Sequence, residues 1–119
     1  MTTQVANIRT LPRPLPPHHV YIGRAAARAN IEASPFGNPF RIGAPHPQHG
    51  GSMTRDEALI LYEAWLWQQI RSGVITRADL LALRGMTLVC WCKPDPCHGD
   101  LLAGLIDMDE EAFAAWLAG

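Results

Sequence analysis

Between Arg55 and about Arg71, Ala58, Leu61, Tyr62, Trp65 and Leu66 recur on one face at helical spacing, which predicts an amphipathic helix. Thr54-Arg55-Asp56-Glu57 in front of it has the form of a capping box, and Gly73 ends the run. At about 100° per residue, Ile60 and Trp67 fall nearly opposite that face. This second apolar side calls for a cover, either the last helix with Phe113 and Trp116 or a second copy of the chain. Thr76-Arg77-Ala78-Asp79 opens a short helix through Leu83, closed by Gly85. Met86 to Cys92 is nearly continuously apolar and of strand length, the pattern of a strand covered on both faces. Asp95-Pro96 reads as an N-cap followed by proline at the first helical position, starting a helix with Leu101, Leu102, Leu105 and Ile106. Asp109-Glu110-Glu111 opens the last helix, which ends in Trp116 and Leu117.

The N-terminal part has a different texture, with eight of the ten prolines before residue 48. Val5 to Ile8 predicts a strand, Leu11 to Pro17 a polyproline-like connector, and His19 to Gly23 a second short strand. Arg24 to Met53 has no regular period, and its Phe36 and Phe40 argue for docking onto the core. The expected architecture is a single α/β domain over residues 1–119. It is a small Rossmann-like sheet of few strands, partly parallel, covered by helices, with a long N-terminal loop region.

Composition narrows the class. Hydrophobic residues make up 48% and charged residues 18%, as in a globular chain. No apolar run reaches transmembrane length, and no secretory signal is legible, so no membrane partner is expected. Three cysteines are an odd count for a disulfide framework and suit a reducing cytoplasm. The net charge of -1 excludes the strongly basic footprint of a general nucleic-acid binder. Its distribution is uneven: residues 1–55 hold six Arg and one acid, and residues 56–119 four bases and ten acids. Nine of the ten basic residues are Arg, the side chain suited to bidentate contact with phosphate or carboxylate. Codon usage with two solvated faces is the competing explanation.

The chemistry concentrates in Cys90-Trp91-Cys92-Lys93-Pro94-Asp95-Pro96-Cys97-His98-Gly99-Asp100. This segment joins the carboxyl end of the buried strand to a helix N-terminus, where open α/β sheets bind ligands. Cys97 and His98 fall in the expected first turn, so Cys97 is a candidate nucleophile with an easily ionised thiol. His98 is a candidate acid, base or phosphate donor, and Gly99 lets a ligand approach the backbone. Asp100 is either catalytic or a first-turn acid complementing the helix dipole. Cys90 and Trp91 read as core, and Cys92, at the strand end, as core or ligand-binding. The spacing C-x-C-x4-C-H offers a Cys3His zinc set, but adjacent ligands strain a tetrahedron; no metal and no cofactor are assigned.

Val20-Tyr21-Ile22-Gly23-Arg24, Phe36-Gly37-Asn38-Pro39-Phe40, Leu83-Arg84-Gly85, Leu88 to Pro94 and Cys97-His98-Gly99-Asp100-Leu101-Leu102 follow one another in this order. Over about residues 18 to 106 the chain thereby resembles the domain of unknown function 4326 family, frequent in bacteria and phages. The resemblance implies no activity, and Gly43 to Met53 has no counterpart in it. From the residues themselves, Arg24, Gly37, Asn38, Arg41, Cys92 and Gly99 are expected to bind a phosphorylated, flat, nucleotide-like ligand beside Cys97 and His98. A hydrolase or transferase acting on it is one reading. The other is a non-catalytic, zinc-stabilised module recognising nucleic acid or protein, as monomer or homodimer.

Overall fold

The structure is a computed structural model that describes residues 2–24, 33–93 and 95–119. Its three strands are β1 (Gln4–Asn7), β2 (His19–Tyr21) and β3 (Thr87–Cys90), and its helices are α1 (Arg55–Arg71), α2 (Arg77–Leu81), α3 (His98–Asp107) and α4 (Glu110–Ala118). The sheet runs in the order β1-β3-β2 with every pairing parallel. Thr87 stands opposite Gln4 on one side and His19 on the other. All three strands therefore deliver their carboxyl ends to one edge, which is what brings distant segments together there. The sheet is parallel throughout, where the sequence suggested only partial parallel character.

The central strand explains the apolar run. Leu88, Val89 and Cys90 are fully buried, with neighbours paired on both sides and helices over the faces. Strand geometry stops at Cys90, two residues earlier than the apolar pattern, because the chain turns out of the sheet there. Asn7 holds that turn: its Nδ2 donates to the carbonyls of Trp91 (3.1 Å) and Lys93 (2.7 Å).

Helix α1 begins at the capping box as expected, with Glu57 N–H donating to Thr54 Oγ1 and Thr54 N–H to Glu57 Oε1. Its buried residues are Ala58, Tyr62, Leu66 and Ile70; Leu61 and Trp65 are only half-buried. The opposite side is partly covered from within the chain, since the Trp67 indole donates to the Leu117 carbonyl at 3.1 Å. Ile60 stays exposed. Two arginines close the far end of α3. Arg77 donates to the carbonyls of Leu105 and Met108, and Arg84 to those of Ile106 and Met108. These groups satisfy carbonyls that a helix terminus leaves open.

Two expectations need correction. Helix α3 is capped by Cys97, and Asp95-Pro96 lies before it: the Asp95 amide donates to the Cys92 carbonyl and its carboxylate lies 3.5 Å from Arg55. The stretch Arg24 to Met53 is also more ordered than its missing period suggested. Gly43 to Met53 forms a tight hairpin closed by an antiparallel bridge between Pro45 and Ser52. Residues 25–32 of that stretch lie outside the described residues.

Candidate functional site

A cavity of ≈ 450 Å³ opens at the carboxyl edge of the sheet. Tyr21, Gly23 and Arg24 reach it from the end of β2, Cys90, Trp91 and Cys92 from the end of β3, and Cys97 and His98 from the start of α3. Asn38, Phe40, Arg41 and Ile42 close it from the following loop, and Arg55 and Ala58 from α1. Among the described residues three arginines line it and no acidic side chain does. The volume suits a small organic ligand.

Arg24 is fixed by its Nε–H, which donates to the Asn38 carbonyl at 2.9 Å. No acidic partner for it occurs among the described residues. Burial, then repulsion from Arg41, lowers its pKa. Asn38 is buried and acts as a brace: its Oδ1 accepts from the Phe40 amide and its Nδ2 donates to the Ala58 carbonyl. Gly37 serves close packing, since a Cβ there would lie 3.0 Å from the Gly23 carbonyl oxygen. Arg41 is exposed at the rim. Arg55 donates to the Pro96 carbonyl at 3.0 Å, tying α1 to the start of α3.

The three thiols form the floor and are free. Cys90 and Cys97 are buried with their sulphurs 3.2 Å apart, while Cys92 is half-buried. A cluster this tight holds its first negative charge on one sulphur. Interaction with the thiols of Cys90 and Cys97, with help from Arg55, lowers the pKa of Cys92. Interaction with the other two thiols, followed by desolvation, pushes Cys97 up. Cys90 is raised as well, chiefly by its bond to Cys92. These directions favour charge on Cys92 over Cys97 and bring Cys92 in beside Cys97 as a candidate nucleophile of the segment.

The start of α3 spends its open donors internally. The Gly99 amide donates to Cys97 Sγ at 3.3 Å, and the Cys97 amide to Asp100 Oδ2 at 3.1 Å. Gly99 faces the core: a Cβ there would lie 2.9 Å from Val5 Cγ1 and 3.0 Å from Ile22 Cδ1. Its lack of a side chain serves packing, which corrects the expectation that it admits a ligand. Asp100 completes the cap and also pairs with Lys93 Nζ at 2.5 Å. His98 is buried, with Nε2 2.8 Å from the Ile22 carbonyl and its ring edge-on to Tyr62 at 5.1 Å. Burial lowers its pKa, so the ring is neutral, Nε2 carries the proton, and Nδ1 is an acceptor. With Nε2 committed to Ile22, Nδ1 is the ring nitrogen left to accept a proton or ligate.

Sequence reasoning missed three wall residues. Trp91, expected in the core, is half-buried, donates from Nε1 to Tyr21 Oη at 2.8 Å and lies under the Arg9 guanidinium. Tyr21 in turn donates to the Arg24 carbonyl. Alternation along β3 put Trp91 opposite Cys90 and Cys92, but the chain has left the sheet by then, so alternation no longer applies. Arg55 read only as the first residue of a helix.

No solved structure matches the chain. A phage protein, the uncharacterised 12.4 kDa protein of the nrdA-td intergenic region of Enterobacteria phage T4, is 46% identical over 54 residues. That alignment takes 45% of this chain and 50% of the phage protein, so the chain spans about half the length of the curated relative it matches. The family model described as domain of unknown function (DUF4326) matches residues 6–108. The motifs from Val20 to Leu102 that border the cavity lie inside that match, and the chain belongs to the DUF4326 family.

Proposed function

We propose that the cavity binds a flat, phosphorylated, nucleotide-like ligand and that the Cys92 thiolate is its reactive group. One observation carries this reading: Arg24 and Arg41, which have no acidic partner among the described residues, line a cavity with aromatic walls beside Arg55, itself paired with Asp95. Two guanidinium groups held close together are stabilised when an anion joins them. Guanidinium forks suit phosphate oxygens. Tyr21, Phe40 and Trp91 supply ring surface for a planar base.

In this reading Arg24 and Arg41 hold the phosphate, and Asn38 and Gly37 keep Arg24 in place through the loop backbone. The Cys92 sulphur bonds to an electrophilic atom of the ligand as the bond from that atom to its leaving group breaks and the leaving group departs protonated, and passage of the sulphur-bound group to water or a second substrate restores the thiolate, as in a hydrolase or transferase. Cys97 and Cys90 stabilise its charge through their S–H groups. Neutral His98 offers Nδ1 as proton acceptor, and Asp100 holds Cys97 by the helix cap. Titration calorimetry with a nucleoside 5′-monophosphate and with the matching nucleoside tests the binding step. The monophosphate should bind and the nucleoside bind more weakly. Arg24→Ala should weaken the monophosphate by roughly tenfold or more, the scale of a charge-assisted hydrogen bond. Equal affinity in Arg24→Ala, or no binding by the wild type, contradicts the proposal.

A further inference from the structure

The hairpin between Gly43 and Met53 lies outside the cavity and brings together three side chains of a different chemistry. The amide of His46 donates to the Gly51 carbonyl at 2.7 Å and that of Gly50 to the His46 carbonyl at 2.9 Å. Gly50 adopts φ 76°, a left-handed conformation that favours glycine, and so lets the turn close. The turn folds His49 back over His46, with ring centroids 3.9 Å apart and planes 15° from parallel. His46 is buried although it stands in a surface hairpin. Glu57, from the first turn of α1, brings Oε2 to 2.8 Å from His49 Nε2. One ring nitrogen from each histidine and one carboxylate oxygen all lie within 4.8 Å of one another.

We infer that His46, His49 and Glu57 form a binding site for a divalent transition-metal ion of the zinc type. Two imidazoles and a carboxylate are a donor set for Zn²⁺ and its neighbours, and a softer, sulphur-based set is absent from this hairpin. Glu57 is prepared for the role. Its Oε1 is held by the Thr54 amide at 2.9 Å, which leaves Oε2 to the ion. The site faces water, with 51% of the His49 side chain and 32% of Glu57 exposed. Water can therefore complete the coordination shell.

Proton positions make the inference specific. The Gln48 amide donates to His46 Nδ1 and the Gly51 amide to His49 Nδ1, both at 3.1 Å. Without metal, each neutral ring consequently carries its proton on Nε2. An ion bound at both Nε2 atoms moves those protons to Nδ1, and the Gln48 and Gly51 amides turn to water. Both residues are exposed, so water replaces the lost bonds. Metal loading should thus be visible at two backbone amides as well as at the rings.

Zinc titrated into the untagged chain should bind one ion per chain and shift the amide resonances of Gln48 and Gly51. His46→Ala or His49→Ala should weaken binding at least about tenfold, while Cys92→Ser leaves it unchanged. Cobalt bound in place of zinc should show no thiolate charge-transfer band. Zinc uptake that survives both histidine substitutions and is lost in Cys92→Ser assigns the ion to the thiols and overturns the inference, as does an absence of uptake by the wild type. The hairpin and the cavity are lined by different residues, so either reading can fail alone.

Discussion

Cys92 and Cys97 differ in what surrounds their sulphurs, and under the proposed function that difference makes Cys92 the nucleophile. Cys97 is 3% exposed, its sulphur engaged by Cys90 and by the Gly99 amide. Cys92 stands just beyond the last strand residue, half-buried at the cavity floor, with two thiols and Arg55 favouring its charge. Iodoacetamide at near-neutral pH, followed by mass mapping, should label Cys92 first and Cys97 only as the chain unfolds. Labelling of Cys97 ahead of Cys92 would mean that the negative charge rests elsewhere in the cluster. The segment was legible as chemically special from its composition. Which of its sulphurs ionises was not, because that depends on a 3.2 Å contact across seven residues that spacing alone does not reveal.

At the scale of elements, the junction from β3 to α3 shows where local sequence rules gave way. Asp95-Pro96 has the stronger N-terminal signature by propensity, yet the cap is Cys97. Tertiary packing selects it. Gly99, two residues on, is the position that fits between Val5 of β1 and Ile22 beyond β2. A helix begun earlier would displace it. Gly99→Ala gains up to about 1 kcal/mol of helix propensity, but its methyl meets Val5 and Ile22 at about van der Waals overlap and costs ~1–3 kcal/mol. The net expectation in urea unfolding is destabilisation; a variant as stable as the wild type would show that the junction has slack. The capping box at Thr54 and the helix start at Thr76 were readable in the sequence because each is local, side chain to amide within four residues. The closure of α3 by Arg77 and Arg84 was not, since it joins residues 22 to 31 positions apart.

Across the whole molecule, the uneven charge acquires a spatial meaning. Arg24, Arg41 and Arg55 all come from the arginine-rich first half and meet at one edge of the sheet. The acids of the second half largely serve helix starts, as Asp79, Asp100 and Asp109 do. Parallel pairing on both sides of β3 makes this convergence possible, because it sends Arg24 and Cys92 to the same edge. That convergence was legible once parallel strands were assumed. The aromatic wall of Tyr21 and Trp91 was not, since it needs the chain to leave the sheet after Cys90. The four tryptophans now provide separate reporters. Trp91 lines the cavity, whereas Trp65, Trp67 and Trp116 lie along the α1 and α4 side. The most direct test of the ligand reading is a ¹H–¹⁵N spectrum of the indole and arginine Nε–H groups during titration with a nucleoside 5′-monophosphate. The account predicts shifts at Trp91, Arg24 and Arg55 with the other three indoles unmoved; shifts confined to Trp65, Trp67 or Trp116, or no shift at saturating ligand, would contradict it.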